Sequence, residues 1–334
     1  MKFVAPEACK IQQDNVSHLD NDRSFDIGNT TRLRPSFGPI VGGFLLALLL
    51  LMVAPSIIVA QEKEKRKGGD FAELRYLYSP PSSLRDSSVP DDYRIAAHGI
   101  RLTGTLPYFL EESKTIFING ITYSMLTAVL GNENKSTTDS FDFHMVQYTF
   151  SLVQILPNNL TVTAMLMPAI ASDFEGFSFR DIRANSGVLV GYRFRKGFNI
   201  QGGVVYISNF GEDMILPMFG LQYKSEHWRI FTTLPAIFDV WYLPCDVFEM
   251  GFSTRIEGSQ YHLHNTDSQV DFVKESSVNT GPIFRVYPYK GYFLQAWGGA
   301  SVYRKMEAYR YNGLAKDFSP EPNWFVSAGL GYSF

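Results

Sequence analysis

The sequence predicts an all-β protein: a transmembrane, antiparallel, up-and-down β-barrel of outer-membrane type. Three observations predict it. The first is the closing stretch WFVSAGLGYSF, Trp324 to Phe334, in which Trp324, Val326, Ala328, Leu330 and Tyr332 share one face and Phe325, Ser327, Gly329, Gly331 and Ser333 the other. That period of two is the signature of a strand, and a large apolar face at the end of a chain suits a strand that closes a barrel against lipid. The second is the succession of strand-like runs from Ile95 onward, with turn signals between them and no helical period. The third is loop length, since membrane barrels have short turns on one side and long loops on the other.

Composition agrees. The chain has 334 residues, of which 15% are aromatic and 19% charged, fewer charges than the usual quarter. The mean hydropathy of -0.07 excludes a bundle of apolar transmembrane helices. A greasy outer face and a wet inner face would give this balance. A soluble β-sandwich is the competing fold. The net charge of -3 argues against a nucleic-acid partner.

In chain order, residues 1–60 read as an N-terminal extension and a signal peptide. Arg32 and Arg34 precede the apolar h-region 44–54, and Pro55 and SIIVA lead to a small residue before Gln61. This pattern predicts cleavage after Ala60, and an uncleaved anchor is the alternative. With the signal removed, Cys245 is the single cysteine left, so no internal disulfide forms. Residues 61–94 are a leader whose stretch FAELRYLYS, 71–79, is a candidate first strand.

The barrel proper occupies 95–334. Its runs are 95–106, 114–130, 141–156, 160–171, 184–196, 198–208, 215–225, 228–234, 237–243, 247–264, 276–288, 291–304 and 323–334. Short connections fall at 157–159, 196–197, 224–227, 243–246 and 289–291, and long ones at 131–140, 172–183, 264–275 and 305–323. They alternate if 237–243 is a strand of its own, and an even total then requires 71–79. The expectation is 12–14 strands, with 14 preferred, and the C-terminus on the periplasmic side.

Charge parity predicts the inner face. In 247–264, Glu249, Arg255 and Glu257 alternate with Phe248, Met250, Phe252 and Ile256; Arg193, Arg195 and Arg285 alternate with apolar residues in the same way. Arg or Lys facing lipid at the bilayer midplane costs roughly 2–4 kcal/mol, so these six residues are expected to line the lumen. They form either a salt-bridged filling or a constriction that selects a polar solute. Aromatic residues near strand ends, Tyr289 with Tyr292, Trp324 with Tyr332 and Trp241 with Tyr242, suggest interfacial belts.

The sequence contains no nucleotide loop, dinucleotide fingerprint, zinc-hydrolase motif or nucleophile elbow. His262 and His264 share a strand face and, with His144 or Ser259, are the residue types of a metal site or a hydrolase dyad. No accompanying acid, base or oxyanion group is identifiable, and the pair Asp142 and His144 has the same weakness. The reading is therefore of no catalytic residue, no metal and no cofactor.

Several stretches carry a family resemblance: INGITYSML at 118–126, ASDF at 171–174, LPMFGLQY at 216–223, TTLPAIFDVWYLP at 232–244, MGFSTRIEGSQYHL at 250–263 and GLGYSF at 329–334. From about Thr115 to Phe334 the chain resembles a group of bacterial outer-membrane barrels defined only as a domain of unknown function. The resemblance implies fold and the outer membrane of a Gram-negative cell, with no functional residues to carry over. Likeness to other barrel C-termini implies that Phe334, with Tyr332, is the recognition end for the barrel-assembly machinery. The expected partners are thus outer-membrane lipid, that machinery and small polar solutes. The expected function is passive or selective passage of small solutes through a charged lumen. The alternative is a non-conducting structural or surface-interaction barrel with binding loops at 172–183 and 305–323; an outer-membrane lipid hydrolase ranks behind both.

Overall fold

Alternating side chains commit each run to a face, and a barrel is the arrangement that gives every run two neighbours. The computed structural model describes residues 70–85, 93–132, 135–208, 213–264, 270–310 and 313–333. Their strands are β1 (Asp70–Ser83), β2 (Tyr93–Leu110), β3 (Thr115–Asn132), β4 (Lys135–Ile155), β5 (Leu160–Ser172), β6 (Ile182–Arg195), β7 (Phe198–Ile207), β8 (Met214–Lys224), β9 (Trp228–Leu234), β10 (Ile237–Cys245), β11 (Phe248–His262), β12 (Phe272–Tyr289), β13 (Tyr292–Arg310), β14 (Gly313–Asp317) and β15 (Asn323–Ser333). Consecutive strands pair antiparallel from β1 to β13, β15 pairs with both β13 and β1, and β14 hangs on β13 outside the ring. Fourteen strands therefore close the wall, the preferred number, with 71–79 inside β1 and 237–243 inside β10. Among the described residues no helix is long and apolar enough to cross a membrane, which says nothing about strands. The predicted signal, its cleavage point after Ala60 and Phe334 lie outside the described residues.

The closing strand behaves as its alternation requires. Trp324, Val326 and Leu330 are exposed on the outer face, while Phe325 and Ser327 are buried inside. Leu74 of β1 sits opposite Leu330 and sews the ring shut. The glycines of this strand serve the inner face, where a Cβ on Gly331 would collide with the Phe293 ring and with the Ala72 carbonyl.

A belt of aromatic pairs encircles the end with the short turns. Tyr192 packs on Phe194, Phe194 on Phe198, Trp228 on Tyr242, and Tyr292 on Tyr332 at 5.0 Å. Amphipathic rings collect where lipid tails give way to headgroups. Trp241 departs from the expected belt: it faces the lumen and is 4% exposed, whereas its neighbour Tyr242 faces out.

The stretches read as long loops contain more structure than expected. Residues 131–140 continue β3 and β4 to the pair Asn132–Lys135, β12 begins at Phe272, and 305–323 holds the end of β13 and all of β14. Above the bilayer a strand no longer needs an apolar outer face, so polar residues there conceal pairing that the backbone still makes.

Candidate functional site

Cross-strand partners share a face, so the register around the ring identifies the lumenal side chains. On β11 these are Glu249, Ser253, Arg255 and Glu257; on β12, Asn279, Ile283 and Arg285, through the pairs Glu249–Arg285 and Arg255–Asn279. The charges among them are paired. Glu249 accepts from Arg229 of β9 at 2.7 Å. Arg255 lies 3.6 Å from Asp239 of β10 and 5.3 Å above the Trp297 ring. Arg285 donates to Asp70 of β1 at 3.0 Å and to Gln295 of β13 at 2.8 Å, with its guanidinium 4.0 Å above the Phe293 ring. Glu257 accepts from Arg101 of β2 at 2.6 Å. Strands β1, β15, β13 and β12 separate β2 from β11 along the wall, so this last pair bridges the interior.

Arg193 and Arg195 are placed differently. They keep the inward parity but stand exposed at the end of β6, beside the Lys196–Gly197 turn. Among the described residues they join neither the ion pairs nor the buried interior. The sequence reading missed Asp70, Glu73, Arg75, Arg101, Arg229 and Asp239, the partners of the predicted charges and a neighbouring pair. Their signal was present, since Glu73 and Arg75 share a parity within the apolar run of β1.

The interior is uneven. Trp241, Ile283, Trp297 and Phe325 form a dry core beside the charges. At the outer end a second core draws together β2–β5 and β11–β13: Ile95, Phe143, Met145, Tyr261, Val273 and Met306, among others. Phe143 stacks on Tyr261 with centroids 5.2 Å apart, and His262 of β11 forms a bridge with Ser172 of β5. Opposite walls thus touch at this end. By contrast the inner face of β4–β8 carries neutral polar groups with partial access to solvent: Gln147, Thr149, Thr161, Thr163, Asn199 and Gln201, with Gln222 exposed.

Above the walls, residues 173–181 lead from β5 into a 3-10 turn, Phe179–Asp181. Its Ser178–Asp181 capping box fixes Asp181, which is fully buried. His262 Nδ1 lies 2.7 Å from Asp181 Oδ1, and His264 Nε2 lies 3.1 Å from both carboxylate oxygens. Burial pushes the Asp181 carboxyl up, but the Ser178 N–H and the two imidazoles outweigh it and hold it below the usual carboxylate range. Ser259 and His144 border this cluster but turn to other partners, His144 stacking on Phe174 at 5.2 Å. Ser259 turns inward toward Met145 Sδ, and His144 bonds the Tyr123 hydroxyl at 2.9 Å.

Fold and lumen define an outer-membrane-type β-barrel with an ion-paired interior. The chain belongs to the family described as a domain of unknown function (DUF6268), whose model matches residues 96–333. No curated protein matches. Among solved structures, the chain is similar to an outer membrane channel from Pseudomonas putida F1, with 9% identity, a TM-score of 0.43, and coverage of 82% of this chain and 98% of that one. It is also similar to a mutant of the TodX monoaromatic hydrocarbon channel, with 10% identity, a TM-score of 0.42, and coverage of 80% and 90%. The NanC porin is another, with 11% identity, a TM-score of 0.34, and coverage of 79% and 100%. At such distances the likeness is one of barrel to barrel and says nothing about cargo.

Proposed function

We propose that this protein resides in the outer membrane of a Gram-negative cell and passes small polar solutes along the β4–β8 side of its lumen. The observation that carries this reading is the unequal division of the interior. Glu249, Arg255, Glu257 and Arg285 are spent on partners from β9, β10, β2 and β1, and between Arg183 and the two rim arginines of β6 a wall rich in Thr, Asn and Gln is left with access to water. Ordered ion pairs hold the wall in shape, while neutral hydroxyls and amides can replace part of a solute's hydration without trapping it. Lipid contacts the exposed apolar band, and the closing strand is the end that the assembly machinery engages.

Single-channel recording in planar bilayers tests the passage. The expected result is a small conductance that falls in Gln201→Trp, which places bulk on the wet side, and keeps its ion selectivity in Arg255→Ala on the dry side. Absence of any conductance in the wild type sinks this reading. It would favour the second reading, a filled barrel that acts through its outer surface. The specific observation behind that alternative is the contact between walls at the outer end, together with the Arg101–Glu257 bridge across the interior.

A further inference from the structure

The cluster of Asp181, His262 and His264 plays no part in the ion-paired interior, and its geometry suits a purpose of its own. Their nearest donor atoms all lie within 4.8 Å of one another. A tetrahedral zinc site with bonds of about 2.0–2.1 Å places its ligand atoms roughly 3.3 Å apart. The separations of 2.7 and 3.1 Å from the two imidazole nitrogens to Asp181 Oδ1 are shorter than that edge, and the third lies within 4.8 Å, so small side-chain turns open the cluster to an ion. The two imidazoles approach nearly at right angles, with ring centroids 4.7 Å apart, so they aim at one carboxylate from different sides.

The surroundings hold all three groups in place. Asp181 Oδ2 accepts from the Ser178 N–H at 2.8 Å, so the carboxylate cannot swing away. Asp173 Oδ2 accepts from the backbone N–H of His264 at 2.8 Å, and the Asp173 N–H donates to the His262 carbonyl at 3.2 Å. Gly176 lies against the His264 ring, where a Cβ would stand 2.8 Å from Nδ1. A side chain at 176 would push the imidazole off its aim. Ser178 Oγ, 3.5 Å from His262 Nδ1 and 3.3 Å from Asp181 Oδ1, borders the remaining side.

We infer that Asp181, His262 and His264 form a binding site for a borderline divalent metal of the Zn2+ class. Two imidazole nitrogens and one carboxylate oxygen make a three-ligand set for such an ion, with the fourth position left to water or the Ser178 hydroxyl. Binding replaces the imidazole–carboxylate hydrogen bonds: in each neutral imidazole the ring proton sits on the nitrogen away from the metal, and the other nitrogen turns its lone pair to the ion. A buried carboxylate then has a cation as its partner. The site would fasten the 173–181 segment, which leaves β5, onto the end of β11. These strands belong to the opposite walls that touch at the outer end, so the ion would act as a clasp across the mouth. Metal binding stands whether or not the barrel conducts.

The test uses the full chain refolded in detergent after chelation, titrated calorimetrically with ZnCl2 and separately with CoCl2. The expected results are one Zn2+ per chain, tetrahedral-type visible absorption with Co2+, and a higher unfolding temperature with Zn2+ than with EDTA. His262→Ala and His264→Ala should each weaken binding at least about tenfold, with loss of the Zn2+-dependent rise in unfolding temperature. His227→Ala, at the β8–β9 turn, should change neither. Far less than one Zn2+ per chain in the wild type, or equal binding in the His262→Ala/His264→Ala double variant, overturns the site. Because the wild-type stoichiometry and the Co2+ spectrum need no variant, a misfolded mutant leaves the test intact.

Discussion

Replacing Arg285 by Met separates the two roles open to the lumenal charges. The guanidinium, 9% exposed, joins three strands: β12, which carries it, β1 through Asp70, and β13 through Gln295. Met keeps most of the aliphatic stem over the Phe293 ring and removes every donor. Hydrogen bonds to charged groups contribute about 1.5–3 kcal/mol. Of the two partners on other strands, Asp70 is 35% exposed, so its carboxylate recovers water and its loss costs about 1 kcal/mol or less. Gln295 is 5% exposed, and its stranded carbonyl costs about 1–3 kcal/mol. Loss of the cation over the ring adds about 1 kcal/mol. The expected destabilisation is therefore roughly 2–5 kcal/mol, while Asp70→Asn costs about 1 kcal/mol or less. Equilibrium urea unfolding of the protein in phospholipid vesicles, followed by tryptophan fluorescence, measures both. An Arg285→Met variant within about 0.5 kcal/mol of the wild type, or one no less stable than Asp70→Asn, would refute this pillar-like role. A reversal of ion selectivity with stability intact would assign Arg285 to the solute path instead.

Leu330→Arg places a charge among lipid tails and should destabilise the barrel by roughly 2–4 kcal/mol in the same unfolding assay; a neutral result would mean that this face is not lipid-facing. Phe143→Ala removes a ring that is 3% exposed from the contact between the walls; it should cost about 3–5 kcal/mol and enlarge the single-channel conductance. Deletion of Phe334 should reduce the folded, heat-modifiable form recovered from outer membranes while leaving refolding in detergent unchanged. Normal insertion of that truncation in cells would count against a role in assembly.

The division between what the residues announced and what they concealed follows from the geometry of a closed wall. Period-two alternation reports which side of its own strand a residue occupies, so Glu249, Arg255, Glu257 and Arg285 were legible as sharing the polar face of the wall. It does not report what faces that residue. The partner of Glu257 is Arg101, 156 positions away and four strands removed along the ring, and only strand order and register bring the two together. Parity also cannot say how far along the barrel a residue sits. Arg193 and Arg195 share the inward parity of Glu249, yet they stand at the rim in contact with water. Trp241 and Tyr242 were read as one aromatic pair, although adjacent positions on a strand cannot share a face: register assigns Trp241 to the interior and Tyr242 to the belt. The outer end was the least legible region because the rule that makes the wall readable ends with the lipid. There β4 and β12 continue with Thr, Asp, Ser, Lys and Glu on both faces, and a polar strand looks like a loop. Asp181 belongs to the same blind zone. Its chemistry is set by a capping box within the β5–β6 connection and by two histidines from β11, and no spacing rule links a residue at 181 to a pair at 262 and 264. The site with the most specific chemistry thus lies where lipid no longer constrains the sequence, and the chain is free there to bring a carboxylate and two imidazoles together.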